Sequence, residues 1–405
     1  MFEYFKEYLD FRTLTITLVL VAIGLFSVYS ATYDARAGEI FQRQLLWSGI
    51  GVLALLGAAF VPLRTVQRIA FPLYGFSILV LLIVLVLGRT IAGSRSWFGV
   101  GGLGVQPSEF AKVVTVLAVA AFVGRTTTTL SSRKHLAITI GLILLPTLLI
   151  LAQPDLGTAL VFLAMILPLL YWAGVDNFFL AVLISPVIVA VGALFGTTLF
   201  VLGVAVSLVL LMLTRKNLFA AAIAFAGTIM VGLSVQLVFE RLPSYQQKRI
   251  LAFISPEADP LGAGYNVLQS KVAIGSGGFL GKGFLKGTQT QLNFIPEQWT
   301  DFIFCVPGEE FGFLGASLVL LLFGLLLFRG LTIASVSKNS FSSVAAIGFV
   351  SVLTFHVFVN IGMSMGLLPV VGIPLPFLSY GGSALVANMI IAGLFMNFYA
   401  NRKEH

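Results

Sequence analysis

Residues 255–304 have the sequence SPEADPLGAGYNVLQSKVAIGSGGFLGKGFLKGTQTQLNFIPEQWTDFIF, and they form the longest polar stretch in a chain of apolar runs. Glycine, glutamine, lysine and acidic residues are concentrated there, within a loop that spans residues 240–300. Ionisable groups are costly in lipid, so those that lie in or beside the membrane indicate a functional site. This loop is therefore the first candidate for a functional site.

The composition is that of a membrane protein. Of the 405 residues, 58% are hydrophobic and 10% are charged, whereas a soluble domain has about 25% charged residues. Apolar runs of about 20 residues, each long enough to cross a hydrocarbon core, recur along the chain. These features predict an all-α, polytopic membrane helix bundle that forms one domain over residues 1–405. No nucleic-acid partner is expected, and the single cysteine, Cys305, excludes an intrachain disulfide.

Twelve hydrophobic segments are predicted. They lie near residues 13–32, 46–62, 71–88, 108–124, 135–152, 157–173, 177–194, 198–214, 217–239, 302–328, 342–367 and 380–400. The three runs between 177 and 239 are separated by only a few residues, and merging or excluding a pair there would leave ten. Either number puts both termini on one side of the membrane and the long loop on the other side.

Basic residues predict that both termini are cytoplasmic. The segments divide the short loops into one side with thirteen Lys and Arg residues and another side with four. Positive charge is retained on the cytoplasmic side of a membrane. The four are Arg36, Arg43, Arg89 and Arg95, and the thirteen are Lys6, Arg12, Arg64, Arg68, Arg125, Arg133, Lys134, Arg215, Lys216, Arg329, Lys338, Arg402 and Lys403. The long loop is therefore expected to be extracytoplasmic.

Ionisable residues also occur at the predicted outer ends of spans. Glu109 and Lys112 are three residues apart, so they can pair on one helix face, and the pair either fixes helix packing or lines a functional cavity. Asp155 lies in QPDLGTA at 153–159, where it either caps the next helix, as aspartate does well, or contacts substrate. Arg95 could hold a lipid phosphate.

The long loop combines a predicted half-helix with a glycine-rich segment. Residues 265–274 have apolar side chains at helical spacing, with Gln269 and Lys271 beside them. Six glycines between 275 and 287 could expose backbone amides to phosphate oxygens, but the spacing and the Lys-Ser/Thr ending of a P-loop are missing. The acids and bases of the loop suit a reaction with a general base and a phosphorylated leaving group.

The histidines do not form a metal site in the sequence. His135, His356 and His405 are scattered, and His356 is interpreted as a satisfied residue inside the bundle. The last outer segment, GLLPVVGIPLPFLSYGGS at 366–383, is apolar but contains three prolines. Irregular backbone at membrane depth survives only where it is buried in protein or lines a cavity.

Four motifs together resemble the SEDS family (shape, elongation, division and sporulation), over nearly the whole chain. They are GSRSWFGVGGLGVQPSEFAK (93–112), QPDLGTA (153–159), DPLGAGYNVLQSKVAIGSGGFLGKGFLKGTQTQLNFIPEQWTDFIFCVPGEEFGFLG (259–315) and GLLPVVGIPLPFLSYGGS (366–383). The segment GTQTQLNFIPEQ resembles the RodA-like elongation branch, and an FtsW-like division polymerase is the alternative within the family.

The resemblance implies a peptidoglycan glycosyltransferase that polymerises lipid II during cell elongation and releases undecaprenyl pyrophosphate. The essential loop aspartate of the family corresponds to Asp259, which would deprotonate the 4-hydroxyl of the acceptor sugar. Cationic side chains would hold the pyrophosphate. The substrate-binding candidates are Arg95, Glu109, Lys112, Asp155, Arg249, Gln269 and Lys271. No metal-binding residue is predicted, although a divalent cation, Mg²⁺ or Mn²⁺, could assist the leaving group.

The resemblance also implies partners, and the chain departs from the family in two places. The expected partners are a class B penicillin-binding protein, which is a transpeptidase, and other proteins of the elongation machinery. The family has a core of ten spans, so this chain adds about two before the long loop. Trp299 stands where the family pattern has histidine, so either a histidine there is not essential to the chemistry of this chain or its role has moved to another residue.

Two functions of other classes remain as alternatives at this point. A flippase or transporter of a lipid-linked precursor would use the intramembrane charges and broken outer segments. That class is typified by internal repeats and midplane charges, whereas the charges here cluster toward the outer face. A non-catalytic scaffold that recruits a transpeptidase is the other alternative.

Overall fold

The polar and apolar stretches of the sequence correspond to loops and helices in a computed structural model. The structure describes residues 10–34, 37–91, 93–100, 103–125, 130, 132–215, 217–242, 247, 251, 253, 263–292 and 294–404. These residues form a helical membrane bundle with one small sheet at one end.

Ten described helices precede the long loop and six lie within or after it. The first ten are α1 (Phe11–Tyr33), α2 (Gly38–Phe60), α3 (Leu63–Leu87), α4 (Pro107–Val123), α5 (Arg133–Leu151), α6 (Leu156–Ala164), α7 (Ile166–Trp172), α8 (Asn177–Leu194), α9 (Thr197–Thr214) and α10 (Leu218–Arg241). The others are α11 (Ala263–Ser276), α12 (Thr288–Gln291), α13 (Cys305–Glu310), α14 (Gly312–Val336), α15 (Ser340–Ser364) and α16 (Gly382–Ala400). An antiparallel sheet of β1 (Arg89–Ile91), β2 (Ser94–Val100) and β3 (Leu103–Val105) joins α3 to α4.

The predicted class, a polytopic all-α membrane bundle, is confirmed. Ten of the described helices are long and apolar enough to cross a membrane, while α4 has 17 residues and α6 and α7 together cover 156–172. The runs at 177–194, 198–214 and 217–239 correspond to three separate helices, so no pair of them merges.

One predicted segment, 302–328, was wrong in its position. The long helix α14 begins only at Gly312, and the residues before it form the short helix α13. Gly312 has a φ of +62°, a conformation that ends helices and favours glycine. The side chains of Glu309 and Glu310 also accept hydrogen bonds from the long loop. The membrane-spanning helix therefore begins only after these two residues.

The bundle has a buried centre and a lipid-facing periphery. In α15 and α16, 83% of the membrane window is buried, against 17% in α9 and α10. Helix α16 packs closely on α2, since a Cβ atom at Gly393 would lie 2.2 Å from the Leu55 carbonyl oxygen. Helix α8 packs against both α9 and α10, and its main contact with the rest of the described bundle is with α7.

The proline-rich segment at 366–381 is irregular, and it is buried or half-buried except at Leu367, as its apolar sequence predicted. Ile373, Phe377 and Leu378 are each at most 2% exposed. Two of its carbonyl oxygens contact α15, since the Ile373 oxygen accepts from the Asn360 amide at 2.8 Å and the Pro374 oxygen lies 3.0 Å from His356 Nδ1. Buried irregular backbone is therefore paired within protein, as membrane depth requires.

Candidate functional site

Helix α11 confirms the predicted half-helix in the long loop and places two candidate residues. Its buried Ser270 hydroxyl donates to the Ser364 carbonyl at the end of α15, and it lies 2.8 Å from Cys305 Sγ. Lys271 is exposed and Gln269 is half-buried. A Cβ atom at Gly366 would lie 2.9 Å from Lys271 Cδ, so the lysine stem contacts the start of the proline-rich segment.

The glycine-rich segment 275–287 packs against the backbone of α13. A Cβ atom at Gly277 would lie 2.1 Å from the Gly308 oxygen, and one at Gly281, where φ is +82°, would lie 2.1 Å from the Glu310 oxygen. Glycine is needed where two backbones approach so closely. The Gly283 amide donates to the Glu310 carbonyl at 2.9 Å. These contacts, and not an open phosphate cradle, account for these glycines.

The side chains of Glu309 and Glu310 bind the same segment from inside. Glu309 forms an ion pair with Lys282 at 2.7 Å and accepts from the Gln289 and Thr290 amides, both at 2.9 Å. Glu310 accepts from the Leu285 amide at 3.1 Å and from hydroxyl and amide side chains of Ser30 and Gln291. The segment is thus held on α13 and on the end of α1 by two carboxylates.

The pKa values of the two carboxyl groups are shifted in opposite directions. Burial acts to raise the pKa of Glu309, but the amide hydrogen bonds and Lys282 outweigh it and the net pKa is lowered. Burial raises the pKa of Glu310, and the hydrogen bonds from Ser30 and Gln291 only partly offset it. Glu310 Oε2 has no hydrogen-bond partner among the described residues. Glu309 is therefore the ionised anchor of the segment.

Glu309→Gln is expected to destabilise the protein, while Glu310→Gln serves as the matched neighbouring change. Loss of the Lys282 ion pair and of charge-assisted bonds to two amides should cost about 1.5–3 kcal/mol. Glu310→Gln keeps the acceptor oxygen that Ser30, Gln291 and Leu285 bind and removes a buried ionisable group, so it should change stability by less than about 1 kcal/mol. The measurement is the unfolding midpoint in detergent, and equal losses in the two variants would contradict the assignment.

The same pair predicts a pH dependence. Because the folded pKa of Glu309 is lowered, its stabilisation is complete above the unfolded pKa of about 4.3 and is lost as the pH falls through the folded value. The stability difference between wild type and Glu309→Gln should therefore be constant near pH 7 and shrink below about pH 4.3. Unfolding midpoints of both proteins across this range provide the measurement.

Glu109 and Lys112 form the predicted ion pair on α4, and His356 on α15 joins it. Lys112 Nζ lies 2.9 Å from Glu109 Oε2 and 2.8 Å from His356 Nε2, and both charged side chains are 4% exposed. Because Nε2 accepts from Lys112, the ring carries its proton on Nδ1, which lies 3.0 Å from the Pro374 carbonyl oxygen. The N–H groups of Lys112 are thus directed into the protein. A role of Lys112 in binding the lipid-linked donor substrate stays a prediction.

Asp155 caps α6 and connects it to α4. Its Oδ1 accepts from the Thr158 amide at 3.0 Å, and its Oδ2 accepts from the Thr158 hydroxyl and from Gln106 Nε2, both at 2.9 Å. The capping alternative is therefore present in the structure. The backbone N–H of Gln106 donates to Ser383 Oγ at 3.2 Å, so residues of three sequence motifs meet here. A direct substrate contact by Asp155 remains a prediction.

Arg95 lies at the end of α3 instead of in a buried pocket. Its Nε donates to the Gly88 oxygen at 2.9 Å and its Nη2 donates to the Val86 oxygen. A guanidinium at a helix C-terminus satisfies unpaired carbonyls and complements the helix dipole. The side chain is exposed, so its predicted contact with a lipid phosphate also remains a prediction.

Asp259 and Arg249 lie outside the described residues, so the roles predicted for them stay predictions. The first described helical residue after Asp259 is Ala263, where α11 begins. Trp299 lies in the described part of the loop, packs partly buried against the main core, and accepts a hydrogen bond on its carbonyl from the Tyr380 amide at 2.7 Å. A partly buried tryptophan thus occupies the position where the resemblance predicts histidine.

Sequence reasoning missed the partners of three residues. His356 was interpreted as satisfied, which is correct, but its contact with Lys112 joins residues 244 apart in the chain. The function of Glu309 and Glu310 as anchors was also missed. An acidic pair beside an apolar run indicates that a partner exists, yet only the fold shows that the partner is the glycine-rich segment.

All four sequence motifs meet at one end of the bundle. The Arg95 amide donates to the Gln153 carbonyl at 3.2 Å, and the Gln106 contacts link the first motif to the second and the fourth. The Trp299–Tyr380 bond joins the long loop to the proline-rich segment. This end holds helix α11, the glycine-rich segment bound by Glu309 and Glu310, and the buried cluster of Glu109, Lys112 and His356. It is the candidate active site.

Comparisons with known proteins assign this architecture to a family. The FtsW/RodA/SpoVE family of cell cycle proteins matches residues 11–195 and 176–404. The chain is 37% identical to peptidoglycan glycosyltransferase MrdB of Escherichia coli (strain K12), over 98% of this chain and 95% of that protein. It is 33% identical to peptidoglycan glycosyltransferase RodA of Treponema pallidum (strain Nichols), over 97% and 98% of the two chains.

A solved structure shares the fold. It concerns the structural coordination of polymerization and crosslinking by a peptidoglycan synthase complex, and the similarity covers 98% of this chain and 99% of that chain, with a TM-score of 0.73 and 30% identity. The chain belongs to the FtsW/RodA/SpoVE family, and the resemblance drawn from its four motifs is confirmed.

Proposed function

We propose that this chain is a peptidoglycan glycosyltransferase that polymerises lipid II into glycan strands and releases undecaprenyl pyrophosphate. The observation that carries the proposal is 37% identity over nearly the full chain to a protein named as a peptidoglycan glycosyltransferase. The convergence of the four motifs at one end of the bundle supports it, because a polymerase of a membrane lipid needs its reactive groups beside the lipid headgroups.

Asp259 is the proposed general base. It takes the proton of the acceptor 4-hydroxyl, whose oxygen attacks the anomeric carbon of the donor, and the bond from that carbon to the pyrophosphate oxygen breaks. A base positioned in this way contributes about 10²–10⁴-fold to a rate. Helix α11 begins at Ala263, a few residues after Asp259, and its anchoring through Ser270 gives the base a rigid neighbour.

The pyrophosphate is proposed to be held by accessible cations. Lys271 is exposed on α11, whereas Lys112 is buried and paired with Glu109 and His356. Lys271 is therefore the stronger candidate for direct phosphate contact, and Gln269, two residues earlier, lies on a different face of the same helix. Glu109 and Lys112 are proposed to position the proline-rich segment through His356 and Pro374.

The site is proposed to face outward and to work with a transpeptidase. The positive-inside pattern supports an extracytoplasmic position for the motif-bearing end. The similarity to a chain of a peptidoglycan synthase complex supports a partner that crosslinks the product, and we assign this partner to the class B penicillin-binding proteins. The 37% and 33% identities to MrdB and RodA support the elongation branch.

A divalent cation, Mg²⁺ or Mn²⁺, is proposed to enter with the donor pyrophosphate. Among the described residues, no group of three His, Cys, Asp or Glu side chains could hold a metal ion. The chemistry of the donor, which carries two adjacent phosphates, supplies oxygen ligands of the kind that Mg²⁺ prefers. Such an ion would neutralise charge on the leaving group.

The test measures lipid II polymerisation and lipid II translocation in the same vesicles. The purified chain, with its transpeptidase partner, is reconstituted into vesicles that contain labelled lipid II. Glycan strands should form, and they should disappear when the divalent cation is chelated and return when Mg²⁺ is added. Movement of lipid II between leaflets without glycan strands would refute the enzyme proposal in favour of the transporter alternative.

A further inference from the structure

A basic pocket lies at the end of the bundle opposite the four motifs. It has a volume of 330 Å³ and is lined by Arg64, Gln67, Arg68, Phe71, Ala121 and Arg125. The pocket forms where α3 begins and α4 ends, so it is on the side of the membrane that holds both chain termini. By the positive-inside pattern, this is the cytoplasmic side.

The pocket is built by one face of α3 and the end of α4. Residues 64, 67, 68 and 71 recur at the spacing i, i+3, i+4 and i+7, which puts them on a single helix face. Arg125 follows α4, and its guanidinium carbon lies 5.0 Å from the centroid of the Phe71 ring. Because α3 and α4 pack together, Arg64, Arg68 and Arg125 line the same pocket.

These three arginines are not neutralised by the described part of the chain. None of the ion pairs found among the described residues includes them. Arg329, on the same side of the membrane, is in contrast paired with Asp10 at 2.9 Å. Like charges four residues apart on a helix repel each other, so an anion bound between Arg64 and Arg68 would relieve this repulsion.

We propose that this pocket binds the phosphate of an anionic phospholipid of the inner leaflet. Guanidinium groups bind phosphate oxygens in a bidentate geometry, and the half-buried Phe71 offers apolar surface to the lipid beside them. A basic pocket between membrane-spanning helices on the cytoplasmic side suits such a headgroup. The positive-inside pattern requires basic residues on this side, but it does not require three of them to share one pocket with an aromatic ring.

The test measures lipid binding by the full chain in detergent, using native mass spectrometry with phosphatidylglycerol and with phosphatidylcholine. The pocket variant is Arg64→Gln/Arg68→Gln/Arg125→Gln. The control variant, Arg12→Gln/Lys134→Gln/Lys338→Gln, removes the same number of charges from the same side. Phosphatidylglycerol affinity should fall about tenfold or more in the pocket variant and less than about twofold in the control, with phosphatidylcholine binding unchanged.

Equal losses in the two variants, or no loss in the pocket variant, would overturn the proposal. Inorganic phosphate at millimolar concentration is added to the wild type to separate the two sources of the anion, and complete displacement of phosphatidylglycerol would assign the pocket to a soluble phosphate. Unfolding midpoints check folding, and Arg68→Gln alone, with a smaller expected loss, replaces the triple variant if that variant does not fold. Lipid II is absent from these measurements, so their outcome is independent of the proposed polymerase activity.

Discussion

Asp259→Asn is expected to reduce lipid II polymerisation by about 10²–10⁴-fold, because the amide cannot accept the proton of the acceptor hydroxyl. The substitution keeps the size and shape of the side chain, so membrane insertion and thermal stability should match the wild type. The measurement is the rate of glycan-strand formation by the purified chain with its partner, at saturating lipid II.

Glu257→Gln is the matched control for this variant. Glu257 lies two residues before Asp259, in the same segment between Pro256 and Pro260, and its substitution removes one negative charge without touching the proposed base. The variant should keep more than about a tenth of the wild-type rate, because Glu257 has no part in the proposed proton transfer. Wild-type rates in Asp259→Asn, or equal losses in both variants, would rule out a specific base at position 259.

Lys112→Met should destabilise the protein by about 3–5 kcal/mol, because it leaves the Glu109 carboxylate buried and without its charge partner. Met has a similar length, so the loss reports on charge and hydrogen bonding more than on packing volume. His356 Nε2 loses the Lys112 donor in the same variant. The unfolding midpoint of the detergent-solubilised chain measures the effect.

The double variant Glu109→Gln/Lys112→Met is the control for this prediction. It removes both charges together, so it should lose clearly less stability than Lys112→Met alone, since replacing a buried pair as a unit is often near neutral. The polymerisation kinetics separate the two roles of Lys112 that the sequence left open. A raised KM at unchanged stability would assign the lysine to donor binding and reject the packing role that its contacts indicate.

The membrane class, the helix positions and the half-helix α11 could be predicted from the sequence, because they depend on local composition. An apolar run of sufficient length must form a helix in lipid to satisfy its own backbone. The prediction failed at 302–328, because α14 begins only at Gly312. Glu309 and Glu310 form tertiary contacts before it, and Gly312 has a left-handed backbone conformation. Hydrophobicity alone could not report those contacts.

The candidate site divides in the same way. The Glu109–Lys112 pair was accessible to sequence reasoning, because three residues of helix separate its members. The third member, His356, comes from α15 and was not predictable as their partner, since nothing in the sequence indicates which faces of α4 and α15 meet. The glycine-rich segment likewise suggested an anion, and the anion in the structure is the carboxylate of Glu309, which binds Lys282 of that segment.

By itself, the sequence determined that this protein spans a membrane many times, where its helices lie, and which polar motifs interrupt them, because these properties depend on residues that are neighbours in the chain. Only the tertiary structure decided which residues of the four motifs contact each other at one end, and that three arginines line one pocket at the other end. Such contacts depend on helix packing, in which residues hundreds of positions apart become neighbours through shape and burial.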